Sequence, residues 1–279
     1  MKNMEYGALS REIPAETAAD LFRKAREYGF GCIQLNYASV IGEEIPPDIP
    51  DSVNREIAKE AAANRIRIAA VNGTFNMAHP DAAVRNDGLK RFEKIASSCR
   101  PLNCNLVSLC TGSRNRDSMW VTHSENDTSE AWKDMASVME QLVLIADKYD
   151  IYLGIETEAS NVINTPEKAK KLIDDFKSPR LKIIMDSANL FLPGTAKREN
   201  VKPIISRAFE LLGPRVALAH AKDIKEGEGI EFTWPGRGII DFSFFINELE
   251  KIGYKNGLIL HGIKDPKNIP DCLEYIRKL

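Results

Sequence analysis

The sequence is poor in several features that would each point to a particular class of protein. It has five cysteines in 279 residues and no C-x-x-C pair, so we expect buried free thiols rather than disulfides or a zinc cluster. It has no basic excess, with 38 Lys and Arg against 40 Asp and Glu, which argues against nucleic acid and anionic membranes as partners. No signal pattern opens the chain, and no apolar run approaches the roughly 20 residues of a membrane span. These absences predict a cytoplasmic protein.

No linker or shift in composition divides the chain. With 43% hydrophobic and 28% charged residues, it has an ordinary globular composition. The length is close to the roughly 250 residues of one α/β barrel. We therefore predict a single domain over residues 1–279, with homo-oligomerisation left open.

A short apolar run, a polar loop and an amphipathic helix follow one another eight times along the chain. Strict alternation favours a parallel sheet covered by helices, and at this length a single (β/α)8 TIM barrel with its active site at the C-terminal ends of the strands. A doubly wound open sheet is the alternative, but no G-x-G-x-x-G follows the first strand. The predicted strands are 5–9, 32–36, 68–72, 106–110, 151–156, 181–185, 216–220 and 257–261.

Four of these apolar runs end in residue types that bind metals, namely Glu156, Asp186, His220 and His261. Each has an ordinary explanation alone, since Asp186 could simply cap the next helix. In a barrel all four would meet at one rim. Two carboxylates with one or two imidazoles suit a single divalent ion, Mn²⁺, Mg²⁺, Co²⁺, Zn²⁺ or Fe²⁺, which would polarise a carbonyl or stabilise an enediolate.

Two acidic residues close to these ligands are assigned supporting roles. We expect Glu158 to face away from Glu156 along the extended segment, so that only Glu156 points into the barrel mouth. We expect Asp223, and more weakly Lys222, to orient His220 through hydrogen bonds.

Further polar and aromatic side chains in the loops are candidates for contact with a substrate. For the asparagines, Asn161 and Asn189, the alternative is that the side chain bonds to nearby backbone groups of its own loop. Phosphate binding is open, with Arg114 and Arg116 as additional cationic candidates. The predicted substrate-binding residues are His79, Trp120, Asn161, Asn189, Lys222 and Arg237.

Several motifs together resemble the xylose-isomerase-like TIM barrels of the sugar phosphate isomerase/epimerase type. They are TFNMAHPD, SLCTGSRNRDSMW, GIETEASNVINTPEKA, SPRLKIIMDSANLF, LAHAKD and PGRGIIDF. The resemblance implies a divalent ion held by Glu156, Asp186 and His220. The family's fourth ligand, a glutamate on the last strand, is His261 here. In the epimerases of this family the two metal-bound glutamates are the acid and base, so His261 would have to bind the metal or take over proton transfer.

The expected function is a divalent-metal-dependent isomerase or epimerase that acts on a sugar, sugar phosphate or polyol by proton transfer next to a carbonyl. Glu156 and His261 are the predicted catalytic residues. A metal-dependent lyase or dehydratase and a non-catalytic sugar-binding barrel are the alternatives. The small number of histidines, four, disfavours nucleic-acid cleavage at a multi-metal site.

Overall fold

Eight parallel strands close into a barrel in the computed structural model, which describes residues 4–279. Each strand pairs with its neighbour in the chain, and the last barrel strand pairs with the first to close the ring. The predicted (β/α)8 barrel is therefore confirmed. The barrel strands are β1 (Tyr6–Leu9), β2 (Cys32–Leu35), β3 (Arg67–Asn72), β4 (Leu106–Leu109), β5 (Tyr152–Glu156), β6 (Leu181–Asp186), β7 (Val216–Ala221) and β10 (Leu258–Leu260).

Helices connect the strands and cover the outside of the barrel. The first helix begins at Ala18, where the Thr17 side chain caps it by accepting the Asp20 N–H. Thr128 and Thr165 cap later helices in the same way. The helices are α1 (Ala18–Tyr28), the single turn α2 (Ala38–Ile41), α3 (Asp51–Asn64), α4 (Ala82–Ser98), α5 (Ser129–Tyr149), α6 (Pro166–Phe176), α7 (Val201–Leu212), α8 (Phe242–Lys251) and α9 (Ile269–Arg277).

The inside of the barrel is organised in layers. A small apolar cluster, distinct from the main core between strands and helices, draws one residue or more from each of six strands. Side chains two positions apart on a strand share a face. The residues two positions after this apolar layer therefore form the next layer towards the C-terminal rim. The apolar layer includes Cys32, Ala70, Leu106, Ile184, Leu218 and Ile259.

The longest loop after β7 contains a short antiparallel hairpin, β8 (Asp223–Ile224) with β9 (Phe232–Thr233). Asp223 is fully buried, and burial raises the pKa of its carboxyl group even though backbone amides surround it. Its two oxygens accept the backbone N–H groups of Ile224, Gly236, Gly238 and Ile240.

This arrangement corrects the role predicted for Asp223. Both carboxylate oxygens of Asp223 accept hydrogen bonds from the loop backbone. In the part of the chain that the structure describes, neither oxygen bonds to His220. A Cβ atom at Gly238 would lie 2.3 Å from Asp223 Oδ1, so the loop requires glycine at that position.

All five cysteines are buried free thiols, as predicted. Among residues 4–279, no helix is both long enough and apolar enough to cross a membrane.

We predict that Asp223→Ala lowers the free energy of unfolding by about 2–5 kcal/mol, because several backbone N–H groups lose their acceptor. Urea denaturation followed by circular dichroism measures the change. Asp117→Ala, at an exposed loop aspartate, is the control and should stay within about 0.5 kcal/mol. An equally small change for Asp223→Ala would contradict the anchoring role.

Candidate metal centre and active site

Glu156, Asp186 and His220 meet at the C-terminal rim of three adjacent strands. Asp186 and His220 are register partners on β6 and β7, and Glu156 ends β5. His220 Nδ1 lies 3.6 Å from Glu156 Oε1 and 3.6 Å from Asp186 Oδ2. All three side chains are buried, and one ligand atom from each falls within 4.8 Å of the others. The three ligands inferred from the sequence are thus brought together.

The hydrogen bonds around His220 determine which ring nitrogen faces the carboxyl groups. Gln34 donates its amide Nε2 to Ser108 Oγ at 3.0 Å, which directs its Oε1 to His220 Nε2 at 2.8 Å. An amide oxygen only accepts, so His220 Nε2 carries a proton. Nδ1 is the nitrogen left to bind an ion.

Two atoms of the cluster, His220 Nδ1 and Asp186 Oδ2, are buried without a hydrogen-bond partner among residues 4–279. Such orphaned atoms are costly unless something else satisfies them. Ligand atoms about 2.0–2.2 Å from one ion lie roughly 3–3.5 Å from each other. The separations of 3.6 Å between Nδ1 and the two carboxylate oxygens are therefore close to those around a single divalent ion, and the oxygen and nitrogen donors suit it.

The two carboxylate oxygens of Asp186 have different surroundings. Its Oδ1 accepts the N–H groups of Ala188 and Asn189, at 2.9 and 3.0 Å, as a capping aspartate would. Its Oδ2 remains directed at the cluster. Capping by Oδ1 is therefore compatible with the predicted ligand role, because Oδ2 is left for it.

The electrostatics of the cluster favour a cation at His220 Nδ1. Burial alone would lower the pKa of His220, but the carboxyl groups of Glu156 and Asp186 outweigh burial and raise the pKa to about 9. Burial would raise the pKa of Asp186, but the Lys222 ammonium and His220 hold it below its ordinary value. A positive charge, either a proton or a metal ion, is stabilised at this point.

Lys222 is the buried cation of the site. Its Nζ lies 3.5 Å from Asp186 Oδ2, donates to Asn189 Oδ1 and packs 3.9 Å from the centre of the Phe232 ring. Burial would lower its pKa, but the neighbouring acids, Asp186 foremost, outweigh burial and raise it, which keeps the ammonium form. Asn189 in turn donates to Glu156 Oε1 at 2.6 Å. Lys222 therefore holds the Asn189 side chain, which in turn contacts Glu156. Within residues 4–279, Lys222 forms no side-chain bond to His220, so the role predicted for it there is not seen.

Glu158 lies on the same side as Glu156, which corrects the prediction that the two face apart. Both line one cavity at the barrel mouth. Residues two apart in an extended segment share a face, so the expectation of opposite directions misapplied the period of the strand. Burial, with Glu156 and Asp186 nearby, raises the pKa of Glu158. The carboxyl groups of Glu156, Glu158 and Asp186 thus surround the ammonium group of Lys222.

The cavity has a volume of about 150 Å³, and most of the residues that line it are of polar types. Three predicted substrate contacts, Trp120, Asn189 and Lys222, line it. Trp120 is 52% exposed and stands on the loop after β4. The lining also includes Leu9, Arg11, Gln34, Glu44, Asn72, Ser108, Glu156, Glu158, His220 and His261.

His79, Asn161 and Arg237 do not line this cavity, contrary to the prediction. His79 uses both ring nitrogens within the loops, accepting the Asp81 N–H at Nδ1 and contacting the Arg116 carbonyl oxygen through Nε2. Asn161 is fully buried and ties two loops together, by accepting the Gly112 N–H and donating to the Met119 carbonyl. Local backbone bonding accounts for both residues.

Two of the cationic candidates for phosphate binding, Arg114 and Arg237, are also engaged elsewhere. Arg237 lies over Trp234, 4.6 Å from the ring centre, and lines a separate surface pocket with Tyr275. Arg114 is buried and bonds to Asp134 Oδ2 at 2.6 Å and to the Ala78 carbonyl oxygen at 3.2 Å. Neither guanidinium is directed at the metal cluster.

His261 lies beside the cluster but outside its group of ligand atoms. Its ring makes an edge-on contact with His220, at 6.0 Å between centres. Its Nδ1 is 2.7 Å from Glu12 Oε1, and Glu12 Oε1 also accepts the Gly262 N–H at 2.8 Å. His261 is 27% exposed and lines the cavity.

Among the residues of the site that the sequence analysis did not identify, Gln34 and Glu12 hold the two histidines. Gln34 had a usable signal, because a polar residue inside the buried strand CIQL needs a partner. Glu12 had none, since it follows β1 in a short turn and meets His261 only because the barrel closes between β1 and β10.

Comparison with known proteins agrees with this geometry. Over 157 residues the chain is 26% identical to inosose dehydratase of Clostridium perfringens, covering 53% of this chain and 52% of that protein. The chain spans about half the length of these curated inosose dehydratases.

Two solved structures share the fold along nearly the whole chain. The 3-keto-D-glucoside 4-epimerase of Escherichia coli has a TM-score of 0.75 and 16% identity, over 99% of this chain and all (100%) of that one. A xylose isomerase-like TIM barrel protein of Mycobacterium smegmatis in complex with magnesium has a TM-score of 0.72 and 15% identity, over 99% and 96% of the two chains.

The family comparison covers most of the chain. The profile of the xylose isomerase-like TIM barrels matches residues 22–279, which include every ligand of the candidate metal centre. The chain therefore belongs to the xylose isomerase-like TIM barrel family.

Proposed function

We propose that this protein is a divalent-metal-dependent enzyme that moves a proton next to the carbonyl of a keto sugar or an inosose, with isomerisation or epimerisation as the outcome. One observation carries the proposal. His220 Nδ1 and Asp186 Oδ2 are buried and face each other beside Glu156, and no group in the described part of the chain, residues 4–279, forms a hydrogen bond with either atom. Atoms placed in this way are suited to bind a metal ion.

The residues that would hold the ion are Glu156, Asp186 and His220. A divalent ion bound there supplies Lewis acidity, which polarises a carbonyl and lowers the cost of removing a proton from the adjacent carbon. The excess of carboxyl groups over ammonium groups around the site supports a cation of charge +2. The donor set fits Mn²⁺, Mg²⁺, Co²⁺ or Zn²⁺ and does not choose among them.

The protein side chains would divide the work of proton transfer. Glu156, oriented by Asn189, accepts the proton from carbon. His261, which reaches the cavity from a different strand and is not among the clustered ligands, is the second proton-transferring group. Lys222 places a positive charge beside the cavity, where negative charge develops on the substrate oxygen. Trp120 offers an apolar wall to the sugar ring.

Dehydration is the second candidate. It is favoured by the replacement of the family's last-strand glutamate by His261, because elimination of water needs a base on carbon and an acid for the leaving hydroxyl rather than two carboxylate bases. The similarity to inosose dehydratase agrees with this candidate. An inosose bears a carbonyl with hydroxyl groups on the neighbouring carbons, so both reactions begin with the same proton removal.

We predict that the purified protein binds one equivalent of Mn²⁺, Co²⁺ or Zn²⁺ and that Asp186→Ala lowers the affinity at least about 100-fold, because a buried charged ligand is lost. Isothermal titration and elemental analysis measure both quantities. The exposed loop variant Glu16→Ala is the control and should bind like the wild type. Equal, negligible metal binding by wild type and Asp186→Ala would contradict the metal centre.

We predict that the metal-loaded protein in D₂O incorporates deuterium next to the carbonyl of an inosose or a ketose and that Glu156→Gln lowers this exchange about 10²–10⁴-fold. NMR of the substrate pool follows the exchange and identifies the product. A new stereoisomer or isomer indicates isomerase activity, whereas a 1,2-diketone, or its enol form, produced with loss of water indicates dehydration. The absence of exchange with every keto sugar and inosose tested, in protein that holds its metal, would contradict the proposal.

A further inference from the structure

We propose that Glu12 is a positioning residue that fixes the tautomer and direction of His261, so that the two act as a carboxylate–imidazole pair at the barrel mouth. The inference rests on the proposed function, which assigns proton transfer to His261. It assigns a role to Glu12, which lies on a different strand end from all the metal ligands.

The hydrogen bonds of His261 leave one ring nitrogen available to a substrate. The short contact with Glu12 occupies Nδ1, at 2.7 Å. The backbone N–H of His261 bonds to the Ala221 carbonyl oxygen, which fixes the residue at the rim of β7. Within residues 4–279 no protein group bonds to Nε2. Since His261 lines the cavity, Nε2 is the ring nitrogen left for chemistry there.

The partner of Nδ1 determines what Nε2 can do. A carboxylate accepts a hydrogen bond, so Nδ1 carries the proton and Nε2 of the neutral ring carries the lone pair. Nε2 can then accept a proton from the substrate, which gives an imidazolium with one N–H still bonded to Glu12. Returning that proton from Nε2 restores the neutral ring. No oxidant or further reactant is consumed, because only a proton moves.

Glu12 is itself held in place for this task. Its side chain is 12% exposed, and its Oε1 accepts the Gly262 N–H as well as facing Nδ1. Its second oxygen, Oε2, is buried without a partner, which is unfavourable for a residue serving stability alone. An imidazolium on His261 would be stabilised by this carboxylate at the moment when the ring takes up a proton.

The pair also explains how the last strand can lack a glutamate. The two-base scheme of the family needs a carboxylate at the position of His261. Here the imidazole occupies that position and a carboxylate from β1 stands behind it, so the pair supplies the second proton-transferring group. Both residues sit at the closure of the barrel, where β1 pairs with β10.

The first test reads the tautomer directly. Protein labelled with ¹⁵N-histidine, with the His261 signals assigned by comparison with His261→Gln, should show neutral His261 protonated at Nδ1. Glu12→Ala should shift this ring towards the Nε2–H form, while the exposed neighbour Glu16→Ala should leave it unchanged. Nε2–H in the wild type, or no change in Glu12→Ala, would overturn the inference.

The second test separates positioning from metal binding and folding. Glu12→Ala should lower kcat for deuterium exchange at least about tenfold with little change in KM and full metal content, and Glu12→Gln, which keeps an acceptor oxygen, should recover part of the loss. The double variant Glu12→Ala/His261→Ala should be no slower than His261→Ala, because Glu12 acts through His261. Additive losses, or loss of metal in a folded Glu12→Gln, would overturn it.

The two tests fail in different ways. If wild-type protein exchanges no proton with any substrate, the proposed function fails, while the tautomer measurement still decides whether Glu12 positions His261. If exchange is present and the tautomer does not depend on Glu12, the proposed function stands and the positioning role fails.

Discussion

The structure depends on enclosing several carboxyl groups in the mouth of a closed barrel. Taking such groups out of water is costly unless charge and hydrogen bonds compensate. Lys222 and its contact Asn189 compensate part of the cost on one side, and His220 compensates part on the other. Among residues 4–279, His220 Nδ1 and Asp186 Oδ2 in this cluster, and Glu12 Oε2 beside His261, have no hydrogen-bond partner. The two unpartnered atoms of the cluster are the reason for proposing a divalent ion at this point.

The contacts that control the site come from strands far apart in sequence. Gln34 on β2 fixes the tautomer of His220 on β7 across the barrel interior, and Ser108 on β4 fixes Gln34. These residues belong to the layer directly above the apolar interior of the barrel. Because the apolar layer is close-packed, the polar layer above it has a rigid floor. The geometry of the candidate site is thus a property of strand register.

The sequence predicted the fold and the metal cluster well, because both follow from local patterns. Alternation of strands and helices gave the barrel, and residues that end strands gave Glu156, Asp186 and His220. Loop side chains were predicted less well. His79 and Asn161 satisfy backbone groups of neighbouring loops, and no pattern in a single sequence distinguishes that use from substrate contact. Glu12 was missed because its partner, His261, becomes its neighbour only through closure of the barrel.

The pairing of β1 with β10 gives the site a further property, which concerns folding. The Glu12–His261 contact joins residues 249 positions apart, among the longest loops that this chain can close. Loop-closure entropy grows only slowly with length, by about 0.6 kcal/mol per doubling, so the large separation adds little to the cost of this contact. The three proposed metal ligands need only the adjacent strands β5 to β7. The imidazole–carboxylate pair, in contrast, exists only once β1 pairs with β10, so it depends on closure of the whole ring.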